Sequence, residues 1–225
     1  MSVAPQQDTA AKFRAFRFIK AAYPPLRVSR QAAPSNGMKI DQVRRAAAIS
    51  LIGTVTMKLR FATIADAPTI EAWDREPHVI ASTGADPMYD WRAELPRVVP
   101  WREFLIAEVD GRPIGMMQII DPELEESHYW GDIGPNLRAI DIWIGAASDL
   151  GRGYGTEMMR LAIERSFAAP EVTAILIDPM VSNTDAHRFY QRLGFRHIER
   201  RMFDDDDCYV YRLERGEWLK PRLAP

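Results

Sequence analysis

The chain predicts an α/β domain built on a mixed central sheet, and three observations carry that reading. Hydrophobic periodicity alternates between two and about 3.6 residues, giving the order β-α-β-β-β-α-β-α-β-β. The run Ile140-Asp141-Ile142-Trp143-Ile144 is β-branched and aromatic, as a buried strand is. It passes through a small-residue turn into Leu150-Gly151-Arg152-Gly153-Tyr154-Gly155-Thr156, and an amphipathic helix follows directly. Strand, glycine bend and helix therefore stand in immediate succession.

Taken in order, residues 1–56 differ from the rest. They hold nine basic residues against Asp8 and Asp41, a charge of +7, while the remainder carries −9. We read Met57 as the start of the working domain, because Met57-Lys58-Leu59-Arg60-Phe61 is a good first strand, expected over 57–62. An Arg-rich, acid-poor leader also has the composition of a targeting peptide, and Ile40–Ile52 would suit a helix packed on the domain. The domain is expected over 57–217, with a short tail over 218–225.

Thr63-Ile64-Ala65-Asp66-Ala67-Pro68 is a capped helix start, with Ile70, Trp73 and Val79 as its inner face. Residues 82–100, rich in Pro, Trp and Asp, read as a loop and short helix bordering a substrate site. Phe104–Glu108 and Ile114–Ile120 flank Asp110-Gly111, a strong hairpin signal. An acidic segment, 121–130, leads to the central strand over 139–145. After the glycine bend, Met158, Met159, Ala162, Ile163 and Phe167 recur at helical spacing, as a core face does. Val172–Asp178 is a short apolar strand. The helix Asn183–Leu193 stops at Gly194, and Arg196–Phe203 and Asp207–Glu214 close the chain as an antiparallel pair.

Composition narrows the classes of function. The single cysteine, Cys208, excludes an internal disulfide and a cysteine-rich zinc site; in an alternating strand it is a buried inert thiol, and a reducing cytoplasm is the expected compartment. No apolar run reaches the ~20 residues needed to span a bilayer, so no membrane partner is expected. His78, His128, His187 and His197 lack metal-ligand spacing, and we expect no metal. A domain charge of −9 disfavours nucleic acid.

Glycines between a strand end and a helix start let backbone N–H groups converge, with the positive end of the helix dipole behind them. The spacing is neither Walker A nor G-x-G-x-x-G, since the glycines fall at 151, 153 and 155. On its own the bend is either an anion site or a plain structural turn.

Downstream residues distinguish these. Ser182-Asn183-Thr184-Asp185-Ala186-His187-Arg188-Phe189-Tyr190-Gln191-Arg192-Leu193-Gly194-Phe195 resembles the closing motif of the GNAT acyl-CoA N-acetyltransferases, and together with the glycine bend the resemblance covers roughly residues 57–215. Within that superfamily the chain is most similar to the aminoglycoside 6'-N-acetyltransferases: Asp141 on the central strand, the Leu150–Thr156 bend, Asp178-Pro179 before Ser182-Asn183, and Tyr129-Trp130 upstream. The resemblance implies the GNAT fold, a sheet of six to seven strands flanked by helices, and acetyl-CoA as cofactor. It implies that the backbone of Ile142, Trp143 and Ile144 meets the pantetheine arm, that the amides of Leu150, Gly151, Arg152, Gly153, Tyr154, Gly155 and Thr156 hold the pyrophosphate, and that Asn183 and Ala186 lie beside the arm. Leu150 stands where the family's bend has an Arg or Gln, so the backbone cradle remains and a side-chain phosphate contact there is not implied.

Acetyl transfer to an amine needs the amine neutral, and an alkyl amine with pKa near ~10 is neutral only about once per thousand molecules at pH 7. A local base helps, typically by 10²–10⁴-fold. Asp141 is the candidate; alternation puts it on the face of Trp143, and burial among apolar neighbours raises a carboxyl pKa. Its alternative is a structural Asp paired with an arginine such as Arg138. Tyr190 is implied as the acid for the coenzyme sulfur, with a core aromatic packed on Phe189 or Phe195 as the alternative. Asn183 has the alternative of a plain N-cap.

An acidic domain attracts polycations. Gln118, Asp121, Tyr129, Trp130 and Asp178 are the candidate acceptor contacts, the two aromatics by stacking on sugar rings. Glu123, Glu125, Glu126 and Asp132 either add to that field or form a solvated loop, and Asp204–Asp207 reads as a turn or rim. The expected activity is acetyl-CoA-dependent acetylation of a small polycationic amine, with the aminoglycoside 6'-amine leading. The alternatives are a siderophore-type lysine or hydroxylysine, a protein amine, or an acyl-CoA-binding module without turnover. A monomer or homodimer is expected.

Overall fold

The computed structural model describes residues 56–83 and 89–220. The leader, its suggested helix over 40–52 and the end of the tail lie outside the described residues. A sheet of seven strands runs in the order β1-β2-β3-β4-β5-β7-β6. The strands are β1 (Met57–Phe61), β2 (Arg102–Val109), β3 (Arg112–Ile120), β4 (Leu137–Ile144), β5 (Ala174–Ile177), β6 (Arg196–Phe203) and β7 (Asp206–Glu214). All neighbours pair antiparallel except β4 and β5, which run parallel.

The turn chemistry explains the β2–β3 hairpin. Asp110 and Gly111 both take positive φ, 51° and 80°, as a type I′ turn requires. The helix expected from Thr63 is instead a 3-10 turn, Ile64–Asp66, followed by α1 (Ala67–Trp73) and α2 (Pro77–Thr83). Val79 accordingly sits on α2, although it joins Ile70 and Trp73 in one core as expected. The short helix foreseen within 82–100 is α3 (Trp91–Glu94). After β4 come a 3-10 turn (Ala147–Asp149) and α4 (Tyr154–Ala168); α5 (Thr184–Arg192) follows β5. The tail expected from 218 begins inside α6 (Arg215–Trp218).

Alternation along β4 divides the core in two. Ile140, Ile142 and Ile144 point to one face and pack with Met158, Met159, Ala162, Ile163 and Phe167 of α4 and with Phe189 and Tyr190 of α5. On the other face, Trp143 belongs to a cluster with Ile70, Trp73, Val79 and Trp91, while Leu137 and Ala139 belong to a second cluster with Trp130, Leu176, Phe203 and Cys208. Asp141 falls between those two clusters.

Candidate functional site

The site begins where two strands part. β4 and β5 pair only over Leu137–Ala139 and Ala174–Leu176, although β4 runs on to Ile144. Gly145 N–H donates to the Ile114 carbonyl, so in this antiparallel ladder the backbone groups of the odd β4 residues face β3. Those of Ile140, Ile142 and Ile144 therefore face the side that β5 has left. This qualifies the expectation for the strand. Trp143 has its backbone committed to the β3 ladder, and His78 Nε2 donates to the Ile144 carbonyl at 2.9 Å. Ile142 is left as the clearest free stretch of edge.

The glycine bend lies at the end of the same strand. Gly151 and Gly153 take φ of 71° and 81°, with nothing within 4 Å of where a side chain would stand. Gly153 is the N-cap of α4 and, lacking a side chain, leaves the first turn of a 15-residue helix uncapped. Donors at a helix N-terminus, an open cradle and an unpaired strand edge in line with it are the features that pyrophosphate and a pantetheine arm require. Arg152 and Thr156 are exposed beside the cradle, Leu150 and Tyr154 pack against the core, and Gly155 is buried.

Two carboxylates flank the mouth of the split. Ala139 pairs with Leu176, and the next residues on that face of each strand are Asp141 and Asp178. Asp141 is 3% exposed, and its Oδ2 is buried with no hydrogen-bond partner. Burial, with the nearby charge of Asp178 second, pushes its carboxyl well above the usual carboxylate range. Arg138, the alternative partner, bonds Asp121 instead at 2.8 Å. Tyr129 Oη donates to Asp178 Oδ2 at 2.5 Å. Burial, then the Asp178 charge, holds the Tyr129 phenol well above its ordinary value.

Gln118 is fully buried directly across the ladder from Asp141. Its amide lies 3.4–3.5 Å from Tyr89 Oη, to which Arg102 donates at 3.3 Å. Arg102 in turn pairs with Glu94 at 2.6 Å and lies over the Phe104 ring. Sequence reading missed this chain of Tyr89, Arg102 and Glu94. The signal was available: alternation in β2 turns Arg102 to the same face as Phe104 and Ile106, an inward charge that needs a partner.

Other expected contacts fall elsewhere. Trp130 is 4% exposed and packs at a steep angle against Phe203 in the core. Tyr129 stacks on Phe203 with ring centroids 4.5 Å apart, and its hydroxyl is the part that reaches Asp178. Asp121 is held by Arg138, Glu126 by Arg97, and Glu125 folds back to accept from the amides of Ser127 and Tyr129. The acidic run is largely engaged within the protein, which leaves the Asp178 charge beside Asp141 at the split. Asn183 caps α5, its Oδ1 accepting from Ala186 N–H at 3.0 Å.

Tyr190 is buried beside Phe189 and Phe195, on the face opposite Asp141. The two side chains do not share a face of the sheet. Among the described residues, no group of three His, Cys, Asp or Glu is placed to hold a metal, and no helix is long and apolar enough to cross a membrane.

Comparisons with known proteins identify the family and the fold. Residues 63–203 match the acetyltransferase (GNAT) domain family. The chain is 31% identical over 171 residues to an aminoglycoside N(6')-acetyltransferase type 1 of Serratia marcescens, covering 70% of this chain and 85% of that protein. Its fold matches the crystal structure of the aminoglycoside acetyltransferase AAC(6')-Ib with coenzyme A, with TM-score 0.66 and 28% identity over 75% of this chain and all of that one. The match to the complex of that enzyme with coenzyme A and kanamycin has TM-score 0.67 and 27% identity, again over 75% of this chain and all of the other. The chain belongs to the GNAT acetyltransferase family and is an acetyl-CoA-dependent N-acetyltransferase.

Proposed function

We propose that the enzyme acetylates the 6'-amine of an aminoglycoside, with Asp141 as the base and Tyr190 as the acid. The observation that carries this is the pair of buried carboxylates, Asp141 and Asp178, flanking the mouth of the split on one face. The curated relative and the kanamycin-bound neighbour point to the same acceptor class.

The free edge at Ile142 would hold the pantetheine arm, and the amides of Gly151–Gly155 the pyrophosphate. Acetyl-CoA supplies an acetyl thioester whose carbonyl carbon is open to an amine. In water, proton transfer from an alkylammonium to an ordinary carboxylate is uphill by about 6 pKa units. Desolvation of Asp141 narrows that gap, so its buried Oδ2 is suited to take the ammonium proton. Asp178, oriented by Tyr129, holds the acceptor's positive charge next to that oxygen. Gln118, fixed by Tyr89, presents an amide to the acceptor's hydroxyls. Tyr190, on the opposite face of the sheet, is the donor assigned by the family resemblance to the departing thiolate.

A thiol-release assay across kanamycin-type aminoglycosides, spermidine and a peptide N-terminus tests the assignment. We expect kcat/KM for aminoglycosides bearing a 6'-amine to exceed that for the other amines by at least about 10², from the polar contacts a matched acceptor makes. Equal rates on spermidine, or full activity on an aminoglycoside whose 6'-position bears a hydroxyl, would overturn it.

A further inference from the structure

Asp149 is the last residue of the 3-10 turn that leads out of β4, immediately before the Leu150–Thr156 bend. It is 2% exposed, a carboxylate placed one residue from a cradle of anion-binding amides. Left alone there, it would repel the phosphates that the bend is shaped to take. Arg112, the first residue of β3, removes that conflict. Its two terminal nitrogens donate to Asp149 at 2.7 Å to Oδ2 and 2.9 Å to Oδ1, the parallel two-bond geometry that a guanidinium makes with a carboxylate. The Arg112 side chain remains about half exposed, so its charge also faces the solvent beside the bend. The clamp thus ties the turn end of the β2–β3 hairpin, at Asp110-Gly111, to the segment that follows β4.

We propose that Arg112 is a positioning residue for acetyl-CoA, acting through Asp149: it cancels the buried carboxylate beside the glycine bend and fixes where the bend starts. The inference rests on the reading that this bend holds the pyrophosphate. Arg112→Met leaves Asp149 uncompensated, and coenzyme A binding weakens while kcat at saturating acetyl-CoA stays within about twofold, since the reacting groups are untouched.

Calorimetric titration of coenzyme A into the parent enzyme, R112M, the double variant R112M/D149N and G153A tests this, with thermal unfolding of each. We expect R112M to bind about tenfold or more weakly, with the loss shrinking as salt rises because it is electrostatic. We expect R112M/D149N to regain most of the affinity, which a purely structural loss would not do. Unchanged affinity in R112M, or a double variant no better than R112M, would overturn the clamp. If R112M does not fold, the double variant, which buries no unpaired charge, decides the matter alone: near-parent affinity supports the clamp, and weak binding overturns it. Gly153 separates this from the underlying reading. If G153A binds coenzyme A normally, the bend does not hold the cofactor; if G153A is weakened and R112M is not, only the clamp fails.

Discussion

Asp141 is a residue whose stability and function oppose each other. Its folded-state pKa is raised by burial and by Asp178, so the native protein holds that proton more tightly than the unfolded chain does. The stability it contributes is therefore present below the unfolded value near ~4 and lost as pH rises through the folded one. Asp141→Asn removes the titration. The variant should match the parent in Tm at low pH and exceed it increasingly as pH rises, by about 2–4 °C for each kcal/mol relieved. Thermal melts of both proteins from pH 4 to 9 check this; a constant offset would mean that Asp141 titrates normally. The sequence made Asp141 legible because an acid inside a run of isoleucines is conspicuous. The packing of Tyr129 and Trp130 against Phe203 was not legible, because Phe203 lies far away in the chain.

Among the elements, β4 matters most, and its C-terminal end depends on one missing side chain. Gly145, the residue after β4, lies under Trp73 of α1, and a methyl group there would stand 2.1 Å from the indole. Trp73 is 8% exposed and packed among Ile70, Val79 and Trp91, with no room to withdraw. Gly145→Ala should destabilise the protein by about 1–3 kcal/mol, the usual effect of overpacking, and loosen α1 from the sheet. Denaturant unfolding with Trp73→Leu/Gly145→Ala as the relieved double variant checks this, since restored stability is expected only if the clash is the cause. Element types and order were legible from periodicity and turn residues. The parting of β4 from β5 was not, because it depends on two short strands pairing over three residues and then diverging, and no local pattern encodes that. Arg112 and Asp149 were equally hidden, being 37 residues apart and joined only by the fold.

Across the whole molecule, charge should set how quickly an acceptor arrives. Residues from 57 onward carry −9, and although Asp121, Glu125 and Glu126 are engaged within the protein, Asp178 adds its charge at the split. Association of a multiply charged aminoglycoside should weaken steeply with salt, while a monoamine responds little. Steady-state kinetics between 20 and 300 mM salt should show kcat/KM for kanamycin falling by about tenfold and kcat nearly constant. A flat profile would place recognition in hydrogen bonds and stacking instead. The overall balance of charge was readable from composition, but which acids remained available was settled by the arginines the fold brings to them.

The account depends on the split between β4 and β5 gripping acetyl-CoA beside one carboxylate. The most direct test measures coenzyme A affinity and the rate of kanamycin-dependent thiol release on a single preparation of Asp141→Asn. Turnover should fall by about 10²–10⁴-fold with affinity for coenzyme A unchanged. Turnover within a few-fold of the parent, or affinity and turnover lost together, would contradict it.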